Sequence, residues 1–233
     1  GPDMPPPAFT LFGGVSAADL GQVSRSTRFG RALWCVARRP STKVALEFFM
    51  GTGGMTVLVA HGLSNHGGRF LTFEADQGNA AQGATLLHRW GLNGELISLA
   101  DMGRADASEL SRVFQPGTTV VAGMVGQDLS FDALARAVCT ALGPVDLLAL
   151  DMPVKFDESW ESIRTHCAPR QIIIHNSNLP DHPGWLRDHL LQLPDTPWRE
   201  VLNGSHPTIW REKEPASWDP FRAWSLLTRD PVW

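Results

Sequence analysis

The chain predicts an α/β fold: a mostly parallel sheet flanked by helices, with a terminal antiparallel strand. Three observations carry this expectation. Short β-branched apolar runs alternate with helical stripes, a glycine turn follows the first run, and two strand-like runs lie near the C-terminus. With 233 residues, 43% of them hydrophobic and 19% charged, the chain suits one large core. We expect a single domain over residues 16–233 behind an irregular arm at residues 1–15, where proline and glycine crowd the sequence. Gly1-Pro2 reads as the remnant of a protease cut, which would put the natural start at Met4.

Ser16 is placed to cap a leading helix whose apolar Phe29, Leu33, Val36 and Ala37 share one face until Pro40 interrupts it. Residues 43–49 read as the first strand, 51–54 as a tight glycine loop and 55–63 as the next helix. Residues 69–74 form a second apolar strand, and the helix over residues 79–90 carries Ala80, Ala84 and Leu87 along one stripe. Two runs, 95–100 and 118–124, compete for the third strand, so one is expected to be surplus. We prefer 118–124, which leaves Gly126, Gln127 and Asp128 as its loop and gives Phe131, Leu134, Ala135, Val138 and Leu142 a helical stripe. The rival puts Asp101 at the strand tip. Residues 146–150 and 171–174 are compact runs of the kind buried in parallel sheets, separated by a helix near residues 158–166. Leu186, His189, Leu190 and Leu193 mark a last helix, and residues 198–203 and 223–228 the closing strands.

A formal net charge of −4 argues against a general phosphate-binding surface, so no nucleic-acid partner is expected. The basic concentration of Arg25, Arg28, Arg31, Arg38 and Arg39 reads first as a solvated helix face. Cys35, Cys139 and Cys167 lie far apart without CxxC spacing, which predicts neither a disulfide framework nor a zinc site and favours a reducing, cytoplasmic setting. No run approaches the roughly 20 apolar residues that cross a bilayer, so no membrane partner is expected. Nine tryptophans, among them Trp185, Trp210, Trp218, Trp224 and Trp233, serve packing first and a substrate pocket or homo-oligomer interface second.

A strand that runs into a glycine loop and then a helix presents free backbone N–H groups to a ligand. Such turns are common in purely structural roles. Glu74 adds weight, because an acid at the end of the second strand, about 20 residues beyond the loop, can accept hydrogen bonds from both hydroxyls of a ribose.

Residues 16–184 resemble the class I S-adenosylmethionine-dependent methyltransferases, which are Rossmann-like, and in particular small-molecule O-methyltransferases of the catechol type. The first motif of that family runs acid-x-Gly-x-Gly-x-Gly; here it is Glu47-Phe48-Phe49-Met50-Gly51-Thr52-Gly53, with Phe49 in the first glycine position. Phe73-Glu74-Ala75-Asp76 and Asn79-Ala80-Ala81 resemble the second motif. The resemblance implies that Glu47, Gly51, Thr52, Gly53 and Glu74 bind S-adenosylmethionine and that Gln127 and Asp128 hold its adenine. Asp101 is the alternate under the other strand assignment, and either aspartate can equally be a helix cap. A dinucleotide site is disfavoured because Thr56 stands where G-x-G-x-x-G needs its third glycine.

Asp151, which ends the run 145–151, matches a metal-binding aspartate of catechol-type enzymes, with Lys155 just behind it. Those relatives end the next strand in Asp-Asn, whereas this chain has His175-Asn176. Asp151, His175 and Asn176 are thus the candidates both for catalysis and for a divalent metal, although imidazole favours softer ions than magnesium. His175 reads equally as metal ligand, as general base and as an ordinary polar residue. Asn178 reads as a turn residue before Pro180, and a structural role is favoured for His166. The expected activity is methyl transfer to a small molecule, at oxygen before nitrogen. The alternatives are a noncatalytic methyltransferase-like binding or assembly protein and, last, an NAD-linked oxidoreductase.

Overall fold

Strands alternate with helices along the chain, and the strands at the middle of the sheet are buried on both faces. The computed structural model describes residues 28–51, 53–92, 94–123, 129–151, 157–179, 184–207, 216–217 and 221–231. The arm expected over residues 1–15 and the capping role of Ser16 lie outside them. The elements are α1 (Arg28–Ala37), β1 (Val44–Phe48), α2 (Gly54–Ser64), β2 (Arg69–Glu74), α3 (Gln77–Arg89), β3 (Gly94–Ser98), α4 (Leu99–Arg104) and α5 (Ala107–Val113). They continue as β4 (Gly117–Ala122), α6 (Phe131–Leu142), β5 (Leu147–Leu150), α7 (Asp157–Cys167), β6 (Gln171–His175), α8 (Gly184–Gln192), β7 (Arg199–Pro207) and β8 (Phe221–Thr228).

The eight strands form one sheet in the order β3-β4-β2-β1-β5-β6-β8-β7. All pairings from β3 to β6 are parallel, and β8 runs antiparallel to both β6 and β7. The expected Rossmann-like sheet with an antiparallel end is therefore present. One expectation needs correction: neither candidate for the third strand is surplus. The preferred run, as β4, lies beside β2, and its rival, as β3, covers the outer edge of β4.

The sheet separates two apolar layers. Phe29, Leu33, Leu58, Val59, Leu87 and Trp224 belong to the layer under α1, α2 and α3, while Leu134, Val138, Trp160, Ile163 and Leu186 fill the other face. Local chemistry sets the helix ends. Asp76 accepts the Asn79 N–H at 2.8 Å and starts α3, Asp106 and Glu109 form a capping box on α5, and Ser130 caps α6. Arg187 of α8 clamps Glu200 of β7 through two hydrogen bonds of 2.7 and 2.9 Å, and holds that carboxyl down at about 2.

The cysteine reading is also corrected. Cys139 on α6 and Cys167 at the end of α7 are joined by a disulfide, and Cys35 is free and exposed. Their separation of 28 residues hid the pairing, because it spans the crossover through β5 that packs α6 against α7 on one face of the sheet. The cross-link restricts the unfolded chain and so adds stability. Among the described residues, no helix is long and apolar enough to cross a membrane.

Gly62 governs how α1 sits on α2. A Cβ at this position would stand 2.7 Å from the Ala37 Cβ and 3.0 Å from the Trp34 carbonyl oxygen, both on α1. Gly62→Ala should therefore lower stability by about 2 kcal/mol through overpacking, read as a lower denaturant midpoint. An unchanged midpoint would show that α1 rides over the added methyl. The position bears on the site below, because α1 carries Phe29.

Candidate functional site

The glycine loop leaves β1 with its backbone twisted away from ordinary side-chain conformations. Phe49 has φ of 75°, Gly51 54° and Gly53 87°. At Phe49 this left-handed conformation accounts for the family's preference for glycine there, since a Cβ costs about 1–2 kcal/mol in that region. The Phe49 and Met50 amides both donate to the Phe73 carbonyl, at 3.0 and 3.2 Å, tying the loop to β2. Met50 is buried against α3, where Gly83 makes room for it: a Cβ on Gly83 would fall 2.1 Å from the Met50 Cε. A Cβ built on Gly51 meets nothing within 4 Å, so the loop faces open space at that residue.

Glu74 does two things at the end of β2. Its Oε2 accepts the Gly51 N–H at 2.7 Å and its Oε1 accepts the Asp76 N–H at 2.9 Å. The carboxylate, only 2% exposed, thus fixes the loop and the start of α3 together. Each oxygen keeps a second lone pair for a ligand hydroxyl. Thr52 lies outside the described residues, as do Gln127 and Asp128, the expected adenine pair. The alternate, Asp101, is an exposed residue of α4; Ser98 first and Arg104 second hold its carboxyl below the usual range. It is not the helix cap: Ser98 caps α4 by accepting the Asp101 N–H at 3.0 Å, and its hydroxyl donates to the Asp101 carboxylate at 2.6 Å.

Glu47 lies behind the loop, fully buried on β1. Its Oε2 accepts the hydroxyls of Thr56 and Thr72, each at 2.5 Å, and its Oε1 has no hydrogen-bond partner. Burial pushes its carboxyl up to about 7, with Asp151 and Glu74 adding to the rise and the two threonines opposing it.

The second cluster sits at the ends of β5 and β6. Asp151 Oδ1 accepts the Asn176 Nδ2–H at 2.5 Å, and Oδ2 lies 3.2 Å from His175 Nδ1. Asn176 takes φ of 57°, a turn that asparagine tolerates better than most residues. His175 is fully buried, and its ring stacks on Phe29 of α1 with centroids 4.5 Å apart. Its other nitrogen, Nε2, lies 2.9 Å from Nε2 of His206 on β7. His206 is a part of this cluster that sequence reasoning missed. Burial first, then His175 and Arg222, lowers its affinity for a second proton. Asn178 grips the Phe221 carbonyl and the Ala223 N–H, fixing the start of β8. His166 pairs with Asp132 on the far helices and Cys167 is in the disulfide, so both are structural.

These contacts do not fit a divalent-cation site. A cation needs free lone pairs from its ligands, yet both His175 nitrogens face hydrogen-bond partners and Asn176 aims its N–H donor at Asp151. The Asn176 side-chain oxygen, Oδ1, is buried without a hydrogen-bond partner. Among the described residues, no three His, Cys, Asp or Glu side chains are grouped to hold an ion. Lys155 lies outside the described residues.

No family model matches the chain, and no curated protein is significantly similar to it in sequence. Solved structures are similar. An O-methyltransferase from Bacillus cereus in complex with SAH has a TM-score of 0.58 at 16% identity, covering 95% of this chain and 88% of that one. The fold is that of the class I methyltransferases. The O-methyltransferase TomG from Streptomyces achromogenes, in complex with SAM, gives 0.56 at 16% identity over 95% and 85% of the two chains. An rRNA methylase from Streptococcus thermophilus gives 0.51 at 10% identity over 88% and 98%. The methyltransferase fold thus spans nearly the whole chain.

Proposed function

We propose that this protein transfers a methyl group from S-adenosylmethionine to an oxygen of a small molecule. One observation carries the reading: the glycine loop with Glu74 and the Asp151–His175–Asn176 cluster occupy carboxyl ends of four adjacent strands, in the order β2-β1-β5-β6. Carboxyl ends of such strands are where α/β sheets bind ligands. At about 4.8 Å per strand, the four span about 15 Å, enough for an extended cofactor with an acceptor beside it.

In this reading Gly51, Thr52 and Gly53 line the amino-acid part of the cofactor with the buried Glu47 supporting the loop from behind, Glu74 receives the ribose hydroxyls, and Gln127 and Asp128 hold the adenine. The cofactor supplies a methyl group on a sulfonium, displaced in line by the acceptor oxygen. Holding the two in near-attack geometry is the larger share of the work. Asp151, with 24% of its side chain exposed, faces the acceptor hydroxyl, while the buried His175 and Asn176 orient it.

A small molecule is preferred to RNA on charge: the chain carries a formal net charge of −4, and its basic concentration is a solvated face, with Arg28 and Arg31 exposed on α1 and Arg38, just beyond its end, lying over the Trp34 ring. A cytoplasmic setting requires that the Cys139–Cys167 bond resist reduction, which the burial of both residues, 7% and 0% exposed, favours. The second reading, a noncatalytic binding protein, is favoured by Phe49 in the loop. Incubation with methyl-labelled S-adenosylmethionine and a panel of phenols and catechols separates the two. Label should appear in an extractable methyl ether; cofactor bound without any labelled product across the panel would establish the noncatalytic reading.

A further inference from the structure

Phe49 stands where the family's first motif has glycine, in a backbone conformation that suits glycine better. Its φ of 75° lies in the left-handed region that a Cβ disfavours. The surroundings impose that angle. The Phe49 and Met50 amides share the Phe73 carbonyl at 3.0 and 3.2 Å, Met50 fills the notch left by Gly83, and Glu74 holds the Gly51 N–H at 2.7 Å. None of these clamps uses the Phe49 side chain, so glycine at this position would meet them all without the strain. Core packing does not offset it either. Phe48 and Met50 are buried on opposite sides of the sheet, whereas Phe49 is half-buried and, among the described residues, belongs to neither apolar layer. Strain that packing leaves unbalanced is characteristic of ligand sites.

Its place in the sheet says which part of a ligand the ring would meet. β1 lies between β2 and β5, and Phe49 is the first residue beyond its carboxyl end. Glu74 ends β2 on one side; on the other, the Asp151 N–H donates to the Phe48 carbonyl at 3.3 Å, which sets Asp151 beside Phe49. Neighbouring strands are about 4.8 Å apart, so Glu74 and Asp151 flank Phe49 one strand away on each side. A cofactor with its ribose on Glu74 and its methyl group directed at Asp151 must carry its sulfur across the end of β1. That sulfur is a cation before methyl transfer and a neutral thioether after it. An aromatic face attracts a cation within about 6 Å of its centroid, and offers a thioether only the weaker sulfur–aromatic contact.

Resting on the cofactor placement proposed above, we infer that Phe49 is a specificity-determining residue, whose ring lies against the sulfonium and separates S-adenosylmethionine from S-adenosylhomocysteine. The carboxylates of Glu74 and Asp151 also draw the charged form, but they stay in place when Phe49 is changed, so the ring's share can be read by itself. The attraction ends when the methyl group leaves, because the sulfur then carries no charge. The ring thus holds the substrate form of the cofactor more tightly than the product form and eases release of the product. The departure from glycine in the first motif is thereby given a role in cofactor selection.

The test is isothermal calorimetry with S-adenosylmethionine and, separately, S-adenosylhomocysteine on the full-length wild type, Phe49→Leu and Phe49→Gly, beside urea unfolding of the same three proteins. In both variants the ratio of the two affinities should shift toward S-adenosylhomocysteine by about 3- to 10-fold. Phe49→Leu keeps an apolar side chain under the same backbone strain, so the shift there reads the aromatic face alone. The urea midpoint of Phe49→Gly should rise as the strain is relieved. An unchanged ratio in both variants would overturn the proposal. A lower midpoint in Phe49→Gly would do so too, by making the ring a packing residue, and tighter binding of both ligands to both variants would make it an obstruction. If Phe49→Leu fails to fold, Phe49→Gly decides. Failure of the two ideas is distinguishable: an unchanged ratio defeats the ring's role and leaves the cofactor reading standing, whereas no binding of either ligand to any of the three proteins defeats both.

Discussion

Glu74→Ala is expected to weaken S-adenosylmethionine binding by roughly 100- to 1000-fold, about 3–4 kcal/mol. Two losses combine. Hydrogen bonds from the ribose hydroxyls to a carboxylate contribute about 1.5–3 kcal/mol each, and alanine offers none. The same carboxylate also receives the Gly51 N–H at 2.7 Å and the Asp76 N–H at 2.9 Å, so its removal frees the glycine loop before any ligand arrives. A looser loop must be ordered on binding, which adds to the cost. Glu74→Gln should sit between, since its amide oxygen still accepts one of the two backbone bonds. Isothermal calorimetry on the three proteins reads the series; equal affinities for wild type and Glu74→Ala would remove Glu74 from the cofactor site.

Glu47 gives the second large effect, on stability. Its carboxyl is pushed from an ordinary 4.5 up to about 7, chiefly by burial, so the folded chain binds this proton more tightly than the unfolded chain does. The stability contributed by the protonated acid is complete below pH 4.5 and is lost as the pH rises through 7. The shift corresponds to something on the order of 3 kcal/mol. Glu47→Gln carries no charge at any pH, so its stability relative to wild type should rise by about that amount between pH 4.5 and 8. Urea unfolding of both proteins across that range reads Glu47 together with its coupling to Asp151 and Glu74, because titrations elsewhere in the chain cancel in the difference. Parallel curves would mean that Glu47 ionises freely in the fold, through water at its unpartnered Oε1.

The central strands were legible because they are buried on both faces: every residue of β1, β5 and β6 is buried, and such short apolar runs have few other places to go. The glycine loop was legible for a related reason, since Gly51 and Gly53 take backbone angles that few other residues adopt. Strand order was not, because β3 and β4 are both genuine strands and only pairing with β2 decides which lies inside. The disulfide escaped because sequence distance says little about two helices packed by a crossover. His206 escaped for the same reason more strongly: one of eight histidines, it meets His175 only through the antiparallel return of β8 and β7. His175 itself was flagged by its place after the strand, but its burial under Phe29 and its two engaged nitrogens could be read only from the fold.

Whether the loop over residues 47–56 and Glu74 hold S-adenosylmethionine is decided by a crystal structure of the protein with the demethylated product, S-adenosylhomocysteine. Both ribose hydroxyls should lie on the Glu74 carboxylate, the amino-acid tail against Gly51 and Gly53, and the sulfur toward Asp151. A ligand bound elsewhere, or a loop left empty in crystals grown at saturating ligand, would contradict it.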